Sequence, residues 1–148
     1  MKVCLAASAG GHLTELLQLE RAWKKKPHFY VTDARTNGVE LARREKTFFL
    51  TCPRRNPLRL IVNAIQSLGL FLSERPDVVI STGADTAVPI CIIAKLFGKK
   101  VVFIESFCRI KKPSLSGKIM RCFSDLFLVQ WKENLSFYPR AEFHGSVF

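Results

Sequence analysis

Short apolar runs alternate along this chain with longer stretches in which apolar positions recur every three or four residues. Val3 to Ala7, Phe29 to Thr32, Thr47 to Cys52, Asp77 to Ser81, Val101 to Glu105 and Leu126 to Gln130 have the length and composition of strands. Residues 13–25, 57–74, 85–97 and 114–122 have helical length and spacing. Strands that are apolar almost without interruption are buried on both faces, so the pattern predicts an α/β domain with a parallel sheet between helices. The 148 residues suit one domain over 1–148, and no repeat, low-complexity tract or linker divides them. In open sheets of this kind ligands sit beyond the carboxyl ends of the strands, so chemistry is expected in loops that leave a strand and open a helix.

Three such loops stand out. In Ser8-Ala9-Gly10-Gly11-His12 the paired glycines let the backbone approach a ligand closely, and the N–H groups of a helix start favour an anion such as a diphosphate. His12 lies by the positive end of that helix, which favours the neutral imidazole a general base must be. The same residues also suit a plain glycine-rich turn with His12 as a capping or packing residue. Neither the three-glycine dinucleotide spacing nor a P-loop Gly-Lys-Ser/Thr is present, which weakens the NAD and ATP readings. In Ser81-Thr82-Gly83-Ala84-Asp85-Thr86, Asp85 most simply caps a helix beginning at Thr86, with Pro89 in its first turn. Gly83 and the hydroxyls of Ser81, Thr82 and Thr86 remain available to a sugar or phosphate. In Glu105-Ser106-Phe107-Cys108-Arg109, Glu105 either holds sugar hydroxyls or pairs with Arg109 or Lys111.

The segment from Pro57 to Ser73 differs from the other helices. Arg59, Asn63, Gln66 and Ser67 fall at i, i+4, i+7 and i+8, leaving an apolar face of Leu58, Ile61, Val62, Ile65, Leu68 and Leu72 flanked by Leu60, Leu70 and Phe71. That face is broader than one side of a sheet requires, yet the segment is too short and interrupted for a bilayer crossing of about 20 apolar residues. Two arrangements are open. Either the helix lies in a membrane interface, with Leu68 and Phe71 in lipid and Arg54, Arg55 and Arg59 at anionic head groups, or it is buried against the sheet.

A formal net charge of +11 calls for a polyanionic neighbour, and the 48% hydrophobic composition with 12 Phe favours an anionic membrane surface. Basic groups interleaved with exposed aromatics are missing, so nucleic acid is not expected as a partner. The five scattered cysteines read as reduced, buried small residues, and their spacing suggests no metal site. The N-terminus turns polar and glycine-rich too soon for a signal peptide, which points to the cytoplasm.

Taken in order, Ser8-Ala9-Gly10-Gly11-His12-Leu13-Thr14-Glu15, Ser81 to Thr86 and Ile104-Glu105-Ser106 resemble one family. It is the acceptor-side subunit of the two-subunit N-acetylglucosaminyltransferase of dolichol-linked oligosaccharide synthesis, with the similar bacterial polysaccharide-biosynthesis proteins PssD, EpsE and CpsF. The likeness continues to the C-terminal stretch Tyr138 to Gly145. It implies a Rossmann-like domain similar to the N-terminal lobe of a GT-B glycosyltransferase, inactive alone and paired with a separate nucleotide-sugar-binding subunit. The implied reaction is inverting transfer of a hexose or N-acetylhexosamine from a UDP-sugar to a polyprenyl-diphosphate-linked sugar, with no cofactor or metal. The Gly10-Gly11-His12 loop also resembles the glycine-rich acceptor loop of the peptidoglycan transferase MurG. By that resemblance His12 is the candidate base, with a residue of the partner as the alternative, and the amides of Gly10 and Gly11 are the candidate diphosphate cradle; Ser8, Thr14, Gly83, Asp85, Thr86, Glu105 and Arg109 complete the expected acceptor-binding set. The eukaryotic subunit has an N-terminal membrane anchor and none opens this sequence. The bacterial branch is therefore the closer likeness, and the Pro57 to Ser73 helix is the expected attachment to the inner face of the cell membrane. A non-catalytic scaffold that anchors and activates a partner transferase is the competing class.

Overall fold

A computed structural model describes residues 1–148. Its seven strands are β1 (Val3–Ala7), β2 (His28–Thr32), β3 (Thr47–Phe49), β4 (Val78–Gly83), β5 (Lys100–Ile104), β6 (Leu126–Val129) and β7 (Glu142–Phe143). All pairings are parallel and the spatial order is β3-β2-β1-β4-β5-β6-β7. The helices are α1 (Gly11–Gln18), α2 (Thr36–Ala42), α3 (Pro57–Glu74), α4 (Val88–Leu96) and α5 (Leu115–Met120). Alternation along β1 shows why the strands are apolar throughout. Val3, Leu5 and Ala7 join a core with Leu13 and Leu16 of α1, with Leu41 of α2 and with Trp23 from the connection between α1 and β2. Cys4 and Ala6 point the other way, into a core with Phe71 of α3, Ile90, Cys91 and Ala94 of α4, and Met120 of α5.

The elements depart from the sequence pattern where tertiary partners intervene. The strand expected through Cys52 stops at Phe49, because the Thr51 N–H donates to Gln66 Oε1 (2.8 Å) and the Thr51 carbonyl accepts from Asn63 Nδ2 (2.7 Å). The helix expected at 13–25 is α1 followed by a 3₁₀ turn, Glu20–Ala22, after which Trp23 turns into the core and donates to Tyr30 Oη at 3.2 Å. α2 and β7 lie where no element is expected: α2 is only seven residues opened by Thr-Asn-Gly, and β7 has two. Cys4 and Cys91 are buried as expected, but Cys108 and Cys122 are exposed and Cys52 half-buried, because the loops that carry them lie outside the two cores.

α3 turns its polar stripe inward. Asn63 is fully buried, donating to the Thr51 carbonyl and to that of Thr86 (3.2 Å) while accepting from Ser67 Oγ (3.0 Å). Leu58 (72% exposed), Ile61, Val62, Ile65 (67%), Leu68 and Leu72 face outward, so the buried-helix arrangement does not hold. Phe71 is a correction to the expected lipid-facing set. It is 3% exposed and packs in the core, with its ring 5.1 Å from that of Phe97, because it continues the inward Asn63–Ser67 row. Asn56 caps α3 by accepting from the Leu58 and Arg59 N–H groups, and Pro57 occupies the first turn. No helix is long and apolar enough to cross a membrane.

Candidate functional site

The direction of winding reverses between β1 and β4, and their carboxyl ends carry two of the three loops singled out above. The loops are tied together by a reciprocal pair of hydrogen bonds. His12 Nδ1 lies 2.8 Å from the Thr82 carbonyl, and Thr82 Oγ1 donates to the His12 carbonyl at 2.7 Å. A carbonyl only accepts, so Nδ1 must carry the proton and the neutral ring keeps its free lone pair on Nε2. His12, Arg55, Thr82, Gly83, Phe103, Glu105, Arg109 and the first residues of α5 with its cap, Ser114–Ser116, line a cleft of about 160 Å³. A larger cavity of about 650 Å³, lined by Arg121, Asp125, Tyr138 and Arg140 among others, lies by the amino end of β6, away from this switch point.

The glycine loop is set by residues that sequence reasoning passed over. Asp33 Oδ1 accepts from the Ala9 N–H at 2.7 Å, and the Asn37 side chain brackets Gly10, accepting from its N–H at 2.8 Å and donating to its carbonyl at 2.9 Å. Gly10 sits at φ 104°, a conformation side chains disfavour. Thr14 Oγ1 donates to the Gly10 carbonyl, completing the turn into α1. The Gly11 and His12 N–H groups, at the start of α1, meet no acceptor within the protein. Asp33 and Asn37 follow β2 as the glycines follow β1, so the strand-end rule would have found them had it been applied to that loop.

Several residues of the expected ligand-contact set have polar groups engaged within the protein. Ser8 is buried and its Oγ accepts from the Ala84 N–H, because the β1 and β4 loops need a brace. Asp85 caps no helix: α4 begins at Val88, and Asp85 Oδ2 accepts from the Arg54 N–H at 2.8 Å. Thr86 is buried, with its carbonyl taken by Asn63 and its Oγ1 without a partner. Glu105 is 1% exposed and pairs with neither Arg109 nor Lys111. Its oxygens accept from the Ser106 N–H, the Ser114 N–H and hydroxyl, and the Tyr138 hydroxyl, so it holds the 106–114 loop closed. Burial and the hydrogen bond to Glu105 push the Tyr138 phenol well above its usual range. Gly117 packs so closely on Glu105 and Tyr138 that a Cβ would clash with both.

The arginines divide. Arg55 and Arg109 line the cleft, whereas Arg54 and Arg59 are exposed outside it. Arg54 and Arg55 are successive left-handed residues, φ 47° and 59°, a conformation costing about 1–2 kcal/mol each.

A family model described as "Oligosaccharide biosynthesis protein Alg14 like" matches residues 3–147. The chain is similar to the UDP-N-acetylglucosamine transferase subunit ALG14 of Mus musculus, 31% identical over 99% of this chain and 83% of that protein. The same subunit of Homo sapiens is 30% identical with the same coverage. Among solved structures, MurG of Acinetobacter baumannii superposes with a TM-score of 0.76 at 14% identity over 89% of this chain and 42% of that one. UDP-N-acetylglucosamine 2-epimerase from Rickettsia bellii gives 0.79 at 16% identity, over 99% of this chain and 45% of that one. At such identities the likeness is one of fold, and the chain spans less than half the length of either structure.

Proposed function

The chain belongs to the Alg14-like family of oligosaccharide-biosynthesis proteins, and from that premise we propose that it is the acceptor-binding, membrane-associating subunit of a two-subunit inverting glycosyltransferase. Its relatives are by name subunits of a UDP-N-acetylglucosamine transferase, and it has the fold of part of the GT-B enzyme MurG. A separate subunit then binds the UDP-sugar, and the reaction takes place between the two. The narrower reading, a polyprenyl-diphosphate-linked acceptor of bacterial polysaccharide synthesis, rests on the loop resemblance to PssD, EpsE and CpsF; the relatives compared are eukaryotic.

The observation that carries the proposal is the bond from His12 Nδ1 to the Thr82 carbonyl. It leaves Nε2 as the basic nitrogen in the cleft. There it takes the proton of the attacking acceptor hydroxyl as the new C–O bond forms at the donor's anomeric carbon and the bond to UDP breaks on the opposite face. The Gly11 and His12 amides and Arg109 receive the acceptor's diphosphate. The outward Leu and Ile side chains of α3 supply the membrane contact. Each gains up to about 1.5–3 kcal/mol on full transfer out of water, and each nearby arginine adds about 1 kcal/mol at an anionic surface.

A scaffold role is favoured by one observation: polar atoms of Ser8, Asp85 and Glu105 are already engaged by hydrogen bonds within the protein, and the Thr86 hydroxyl is buried. Titration of UDP-N-acetylglucosamine into the purified chain is expected to give no saturable heat, since half a cleft offers too few contacts. Tight binding would sink the two-subunit reading.

A further inference from the structure

We propose that the loop from Thr51 to Asn56 is an anion clamp, in which the Arg55 guanidinium binds the diphosphate of the lipid-linked acceptor and not the bulk membrane surface. The proposal rests on the acceptor reading above.

Position is the first ground. Arg55 leaves the loop after β3 and Arg109 the loop after β5, and both line the cleft that holds His12 and Gly83. Neither guanidinium has a partner within the protein: Arg35 and Arg75 are the only arginines whose side chains do, bonded to Asp33 and to the Leu72 carbonyl. Two unpaired guanidiniums on one small cleft suit a ligand with several negative oxygens, which such planar forks bind in pairs.

The construction of the loop is the second ground. Its start is fixed through Thr51 by Asn63 and Gln66 of α3, and its middle by the Asp85 carboxylate on the Arg54 N–H. Held at these points, the chain adopts two successive left-handed residues, and of the two only Arg55 reaches the cleft. A general attraction to head groups needs no such fixed direction, because it acts through charge alone. The clamp is also anchored on the helix whose outer face is apolar, so a ligand with a lipid tail along α3 presents its diphosphate beside Arg55.

Arg55→Gly and Arg54→Gly test this together. Glycine adopts the left-handed conformation freely, so both variants should fold with a Tm no lower than wild type. Calorimetry with farnesyl diphosphate in detergent micelles should show wild-type binding, weakened about 10–100-fold by Arg55→Gly and left nearly unchanged by Arg54→Gly. Arg55→Lys, with the charge but not the fork, should fall between. Binding to phosphatidylglycerol vesicles should be alike in the two glycine variants. The proposal is overturned if the wild type does not bind farnesyl diphosphate, if Arg55→Gly binds it as wild type does, or if Arg55→Gly loses only vesicle binding. Arg55-dependent diphosphate binding by a chain that supports no sugar transfer with its partner would uphold the clamp and remove the transferase reading.

Discussion

Thr82 fixes the tautomer of His12 with a backbone carbonyl, a partner that no side-chain substitution removes. The strand-glycine-histidine pattern made the position of His12 at a helix start after β1 legible in the sequence, but its partner was not, because it lies 70 residues away in chain order. Glu105 shows the opposite failure. A carboxylate at a strand end reads as a ligand contact, and only the fold reveals that Ser106, Ser114 and Tyr138 saturate it. Asp125, by the amino ends of β5 and β6, accepts from Lys95 Nζ (2.8 Å) and from the Val101 N–H (2.9 Å), joining α4, β5 and β6. The Lys95 hydrogen bond, ahead of those from Val101 and Lys100, holds its carboxyl at about 2, below the usual 3.8. A depressed folded-state value stabilises the fold above the unfolded value, and that contribution is lost as pH falls from about 4 through 2. Asp125→Asn should therefore lower Tm by a few degrees at neutral pH, with the gap to wild type closing over that acidic window in thermal unfolding. A gap independent of pH would assign the loss to packing.

Among the elements, α3 is the one through which the proposed membrane contact is tested. Its 3.6-residue pattern revealed the helix and its two faces, but not which face turns inward. Ordinary amphipathic logic puts the apolar face in the core; here the carbonyls of Thr51 and Thr86 need donors, and Asn63 supplies them from the inner face. Ile61 and Ile65 lie on the open side and Phe71 on the closed one. Replacing Ile61 and Ile65 together with Glu should move the protein from the membrane to the soluble fraction in flotation while Tm stays within a few degrees. Phe71→Glu should instead unfold the domain, since it places a carboxylate among Ala87, Ile90 and Phe97 with no partner. Membrane retention by the Ile61/Ile65 variant would show that α3 does not supply the contact.

At the scale of the whole molecule, alternating strands and helices sufficed to foresee a parallel, doubly covered sheet. The strand order did not follow from them, and with it the meeting of the β1 and β4 loops, because pairing across 70 residues leaves no local mark. The short α2 and β7 were hidden for the same reason, since their neighbours and not their own residues stabilise them. That topology puts His12, Arg109 and Arg55 from three separate loops on one cleft, which is the ground for treating this lobe as a participant in chemistry and not only an anchor. The most direct measurement is turnover by the chain reconstituted with its nucleotide-sugar-binding subunit, labelled UDP-N-acetylglucosamine and membranes carrying the polyprenyl-linked acceptor. At saturating acceptor, His12→Ala should reduce turnover by about 10²–10⁴, the usual contribution of a general base, with subunit pairing and membrane association unchanged. Wild-type turnover by that variant would contradict the assignment and leave the chain as a scaffold for a partner holding every catalytic group.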